Sequence, residues 1–104
     1  MGEIAKKLGL RIKELRENRG LTQLKLAELL DMEASNLSKI ERGVQIPKEE
    51  SLAKLTQALN VNIRDLFDYE HFSDRKILLN NIFAILEKSD LETIQKFYKI
   101  LINL

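Results

Sequence analysis

The chain has no cysteine, no tryptophan, one proline, one histidine and four glycines. Without cysteine there is no disulfide framework, no Cys-ligated zinc site and no thiol chemistry. One histidine is too few for a His-based metal centre. So little glycine and proline argues against a fold built from many turns and in favour of helices. No stretch approaches the roughly 18 consecutive apolar residues that span a bilayer. The N-terminus lacks the apolar core of a signal peptide, so a cytoplasmic location is expected. The acidic residues form no paired constellation suited to acid–base catalysis, and there is no Gly-rich phosphate loop. Neither an enzyme nor a cofactor is expected.

What remains is 104 residues, 44% apolar and 32% charged, a globular balance that suits one domain or a small domain with an appendage. Seventeen basic residues face sixteen acidic ones, for a net charge of +1. A nucleic-acid surface would therefore have to come from how charge is arranged. Locally the first twenty residues are basic, with Lys6, Lys7, Arg11, Lys13, Arg16 and Arg19 against Glu3, Glu14 and Glu17.

Apolar spacing marks the helices. Ile4, Leu8, Ile12 and Leu15 define a first helix that Gly20 ends. Thr22 reads as the N-cap of a second, carrying Leu24, Ala27 and Leu30 with Leu26 and Leu29 beside them. Asp31-Met32-Glu33 interrupts it, and Asp tolerates the left-handed conformation of a tight turn. A third helix covers Ala34 to Arg42, with Leu37 and Ile40 inward and Gly43 as its stop. Leu52, Leu55, Ala58 and Leu59 mark a fourth, closed by Asn60, and Ile63, Leu66 and Phe67 a fifth. Tyr69 to Ser73 reads as a linker, with His71 an exposed histidine in it. Ile77 to Leu86 gives a sixth helix, and the Ser-x-x-Glu pattern of Ser89 to Glu92 opens a seventh.

Two short helices joined by a few residues, with small Ala27 where they must approach, project the second as a rod that fits a major groove. The pieces Leu8-Gly9-x-Arg11-Ile12-x-x-Leu15-Arg16, Gly20-Leu21-Thr22-Gln23, Leu26-Ala27, Ile40-Glu41-Arg42-Gly43, Pro47, Leu59-x-Val61 and Leu66-Phe67 occur in order. Over residues 8–68 the chain resembles the lambda-repressor-like, XRE-type helix-turn-helix family. The resemblance implies an all-α protein whose five-helix domain binds operator DNA, usually as a symmetric dimer. It implies phosphate contacts from Thr22 and Gln23, and base reading by Ala34, Ser35 and Lys39. Asn36 and Ser38 stand beside these, and Arg42 is placed to meet a phosphate. Arg16 and Glu41 match an ion pair bridging the first and third helices, read here as a structural brace. Two positions depart from the family pattern. Asp31 replaces the usual Gly of the turn, and Glu33 replaces the Ser or Thr that opens the recognition helix.

Lys6, Lys7, Lys13 and Lys25 read mainly as solvated surface. Tyr69, Phe72, Phe97 and Tyr98 read as core or interface rather than base-stacking platforms. The division expected is a DNA-binding domain over residues 1–69 and a C-terminal helical hairpin over 70–104. That hairpin carries more apolar side chains than it can bury by itself, so the excess is expected to pack on the first domain or, by preference, on a second copy of the chain. Ile82, Phe83, Leu86, Ile94, Phe97 and Leu101 are the expected dimerisation residues. The overall expectation is a transcriptional regulator, a repressor by preference, that binds double-stranded DNA as a homodimer and has no membrane partner. The alternatives are an antitoxin whose C-terminal helices grip a toxin, and a protein-interaction module on the same fold.

Overall fold

The computed structural model describes residues 2–104, and among these every regular element is helical. The helices are α1 (Glu3–Asn18), α2 (Gln23–Leu29), α3 (Ala34–Glu41), α4 (Glu49–Leu59), α5 (Ile63–Leu66), α6 (Arg75–Glu87) and α7 (Leu91–Ile102). A single 3-10 turn, Glu70–Phe72, lies between α5 and α6. The chain separates into two compact units, Met1–Phe72 and Ser73–Leu104.

In the first unit the local signals sit where helix chemistry puts them. The Thr22 hydroxyl accepts the Lys25 N–H at 3.0 Å and caps α2. Asp31 and Asn60 adopt left-handed φ values of 55° and 54°, and Gly20 and Gly43 end α1 and α3 at 69° and 75°. A capping box between Asn62 and Asp65 starts α5. The core joins Leu8, Ile12 and Leu15 of α1 to Leu26, Ala27, Leu30, Leu37, Ile40, Leu55, Leu59 and Leu66.

Several apolar residues that marked helices in the sequence lie at the surface, among them Leu29, Ile63 and Phe67. Ile4 is 62% exposed, while Ala5 beside it is 4% exposed. At 100° per residue, Ile4 lies about 80° round the helix from Ile12, whereas Ala5 lies within about 20° of it. In α2, Leu26 joins Ala27 in the core and Leu24 is exposed, because Leu24 lies about 120° round from Leu30.

The presumed linker is also different. Tyr69 packs on the core, and His71 Nε2 meets the Glu14 carboxylate at 2.9 Å, so residues 69–72 are docked on the first unit. Desolvation pulls Glu14 upward, but hydrogen bonds from Arg11 and His71 together hold its carboxyl below the ordinary glutamate value.

The tightest element contact is α1 on α3. Two glycines admit it. A Cβ on Gly9 would lie 2.4 Å from the Ile40 carbonyl oxygen and 2.6 Å from that of Glu41. A Cβ on Gly43 would lie 2.7 Å from the Lys6 Cα. Across this contact Arg16 holds Glu41 in a two-pronged bridge, Nε to Oε2 at 2.8 Å and Nη2 to Oε1 at 3.1 Å. Arg16 also donates to the Leu21 carbonyl at 2.7 Å, which ties down the segment leading into α2. The two side chains are 10% and 2% exposed. Hydrogen bonding to Glu41 raises the Arg16 pKa above its ordinary value, outweighing the opposing effect of burial.

In the second unit, Asp74 caps α6 through the Ile77 N–H, and Asp90 caps α7 through the Thr93 N–H. The expected Ser89 capping box does not form, and the next residue, Asp90, caps the helix alone. The Ser89 hydroxyl donates instead to the Ile85 carbonyl, closing the end of α6. A carboxylate is the stronger acceptor for a helix N-terminus, so Asp90 takes the cap. No residue of α6 or α7 is buried, and the two helices do not approach as α1 and α3 do. The two helices are joined through residues 88–90. No helix of the described residues is long and apolar enough to cross a membrane.

Two stability predictions follow from the α1–α3 contact. Gly9→Ala should lower the unfolding free energy by about 1–3 kcal/mol through overpacking, whereas Gly2→Ala, with no atom within 4 Å of the added Cβ, should leave the urea midpoint unchanged. Arg16→Ala should cost about 3–5 kcal/mol by stranding a buried carboxylate. Replacing the pair together, Arg16→Met with Glu41→Leu, should recover most of that loss in urea denaturation. A double variant as unstable as Arg16→Ala would contradict the buried-charge account.

Candidate nucleic-acid interface

α3 sorts its residues by face. Leu37 and Ile40 are fully buried, and Glu41 is held by Arg16. Ser35, Asn36, Lys39 and Arg42 are exposed, while Ala34 and Ser38 are half-buried beside them. With the inner face fixed to α1 and α2, the outer face is a short polar rod open to solvent. Arg42 Nε donates to the Ser38 hydroxyl at 3.3 Å, so these two share one turn of that face. Glu33 occupies the N-cap position but makes no side-chain capping bond. Its carboxylate is exposed at the start of the rod.

Thr22 and Gln23 stand at the head of α2. The Thr22 hydroxyl is committed to its own helix. Gln23 is half-buried, and its side-chain Nε2 donates to Glu41 Oε1 at 2.9 Å. The same carboxylate oxygen accepts from Arg16. The first unit thus brings Arg16, Glu41 and Gln23 into one network that touches α1, α2 and α3. Lys6, Leu10, Lys13, Gln23, Glu41 and Arg42 line a shallow cleft of about 350 Å³ beside it.

The basic residues of the first twenty divide sharply. All three arginines are occupied within the fold. Arg11 donates to the Asp65 carbonyl at 2.7 Å and pairs with Glu14, Arg16 holds Glu41, and Arg19 donates to the Leu59 carbonyl at 2.8 Å. Arg11 and Arg19 thereby satisfy carbonyls near the ends of α5 and α4. Among the described residues Lys6, Lys13 and Lys39 make no ion pair, so these cations remain available to an external anion. Sequence reasoning placed Lys6 and Lys13 on open surface and missed the cleft. Their seven-residue spacing, which puts both on one helix face, was the available signal.

The residues expected to mediate dimerisation lie in the second unit. Ile82, Phe83, Ile94 and Leu101 are exposed, and Leu86 and Phe97 are half-buried. Ile85, Leu91, Tyr98, Ile100 and Ile102 add further exposed apolar surface.

A family model described as helix-turn-helix matches residues 12–66. The HTH-type transcriptional regulator ImmR of Bacillus subtilis is 36% identical over 91 residues, spanning 84% of this chain and 72% of its own length. Among solved structures, the restriction-modification controller protein C.AhdI of Aeromonas hydrophila aligns with a TM-score of 0.59 and 36% identity. It covers 61% of this chain and 96% of its own. SinR, a master regulator for biofilm formation solved in complex with DNA, aligns with a TM-score of 0.55 and 37% identity, over 59% of this chain and 98% of that one. With its turn, its buried bridge and its α2–α3 pair in place, the chain belongs to the helix-turn-helix family.

Proposed function

We propose that the chain is a DNA-binding transcriptional regulator, acting as a repressor in the cytoplasm, that reads a pseudo-palindromic operator as a homodimer. The observation that carries this reading is the outer face of α3. Ser35, Asn36 and Lys39 are presented to solvent on a helix whose opposite face is fixed to the core. Ser35, Asn36 and Lys39 offer hydrogen bonds to base edges, and half-buried Ala34 suits contact with a thymine methyl. Arg42, Ser38, Thr22 and Gln23 serve the phosphate backbone, which sets register and supplies much of the affinity. So few hydrogen-bonding groups give modest direct readout, with DNA shape adding to it.

Dimerisation is assigned to the apolar faces of α6 and α7, with Ile82, Phe83, Leu86, Ile94, Phe97 and Leu101 at the contact. Burying one such Leu or Ile side chain gives about 1.5–3 kcal/mol, so a few of them support a stable pair. Two-fold symmetry then places two α3 helices in successive major grooves, about 34 Å apart. The same apolar faces suit a second reading, in which they grip a different protein, as in an antitoxin with its toxin.

Lys39→Ala and Arg42→Ala are expected to weaken binding to an operator duplex selected from random DNA. Losing Arg42 should lower affinity alike across sequences and flatten the salt dependence by about one unit of slope. Losing Lys39 should also relax base preference. Unchanged affinity for both folded variants would remove α3 as the reading surface. A chain ending at Phe72 should stay folded and sediment as a monomer, while the full chain sediments as a dimer. A full chain that is monomeric alone would move the assignment to a foreign partner.

A further inference from the structure

We infer that Glu41 is a positioning residue for DNA: its carboxylate fixes the Gln23 amide at the edge of the cleft walled by Lys6, Lys13 and Arg42, where one duplex phosphate sits. The inference rests on the DNA-binding reading above and assigns a second task to a residue that otherwise serves as a brace.

The chemistry starts from one shared atom. Glu41 Oε1 accepts from Arg16 Nη2 at 3.1 Å and from Gln23 Nε2 at 2.9 Å. A glutamine amide can present either its NH2 or its oxygen to a neighbour, and a carboxylate accepts only the NH2. Glu41 therefore selects one of the two amide orientations. In that orientation one N–H is spent on Glu41, and the second remains for another acceptor. Gln23 and Glu41 both border the cleft of about 350 Å³ whose remaining walls include Lys6, Lys13 and Arg42. The Glu41 charge is matched by Arg16, so the three cations set the sign of the cleft. Lys6 and Lys13 have no acidic partner among the described residues, although three nearby arginines are all consumed by the fold. A phosphate oxygen meets the requirements of this site: it is anionic, accepts from the amide N–H and tolerates several cations at once.

Replacing Glu41 by glutamine removes the selection, because a neutral amide can pair with either end of Gln23. Glu41→Gln should thus harm DNA binding through Gln23, apart from any effect on folding. The test is a double-variant cycle on the full chain with a selected operator duplex. Gln23→Leu should weaken binding roughly tenfold, the size of one hydrogen bond to a charged group, without changing the salt slope. Lys6→Ala with Lys13→Ala should flatten that slope by about one. Glu41→Gln should weaken binding severalfold in the native background and add nothing to Gln23→Leu, while its shift of the urea midpoint persists in both backgrounds. If Glu41→Gln fails to fold, Glu41→Asp, which keeps the charge but retracts it, completes the cycle.

Independent losses from Glu41 and Gln23 would overturn the inference, as would a Gln23→Leu chain that binds like the native one. Either result leaves the DNA-binding reading standing. A native chain that binds no duplex removes both.

Discussion

A carboxylate buried as deeply as that of Glu41 is costly unless it is paired and hydrogen-bonded, and the need to supply partners shapes the first unit. Arg16 reaches across from α1 with two donors, and Gln23 reaches from the head of α2 with a third. Three helices are thereby referenced to one group. The glycines complete the constraint. With a side chain at Gly9 or Gly43, α1 and the end of α3 could not come close enough for the bridge to close. Once it is closed, Leu37 and Ile40 have only one direction in which to be buried, and the polar residues of α3 are left outward. The outward polar face of α3 is thus a consequence of how the inner face is tied.

The near-neutral total charge fits this division of labour. Arginines, with planar donors suited to carbonyls and carboxylates, hold the framework: Arg11, Arg16 and Arg19 each bind an acceptor supplied by the fold. Lys6, Lys13 and Lys39 keep their charge for the outside. A count of basic residues would treat all six alike, and only the hydrogen-bond partners separate them.

Much of this was legible in the sequence because it is written in local chemistry. Thr22 as a cap, Asp31 and Asn60 in left-handed turns, and Gly20 and Gly43 at helix ends need only neighbouring residues to be understood. Leu37 and Ile40 follow from the i, i+3 spacing that puts both on one face of a short helix. The failures have equally definite causes. Ile4 satisfies i, i+4 spacing but drifts off the seam, and Ala5 is too small to announce itself as core. Ser89 matched a capping pattern, but the adjacent Asp90 carboxylate was the better acceptor. Residues 69–72 looked like a linker because the Glu14 that anchors His71 lies 57 positions away. The Gln23–Glu41 bond, 18 positions apart, was hidden for the same reason.

The two units solve opposite problems. The first encloses its apolar residues and displays polar ones on α3. The second leaves Phe83, Ile85, Tyr98 and Ile102 exposed, an apolar surface of the kind that marks an interaction site. The most direct measurement of the central claim is a backbone amide chemical-shift map of the full chain, recorded with and without its selected operator duplex. The account predicts the largest changes over residues 34–42 and at Gln23, with the Arg16–Glu41 bridge retained. Changes confined to α6 and α7, with α3 unmoved at saturating duplex, would contradict it.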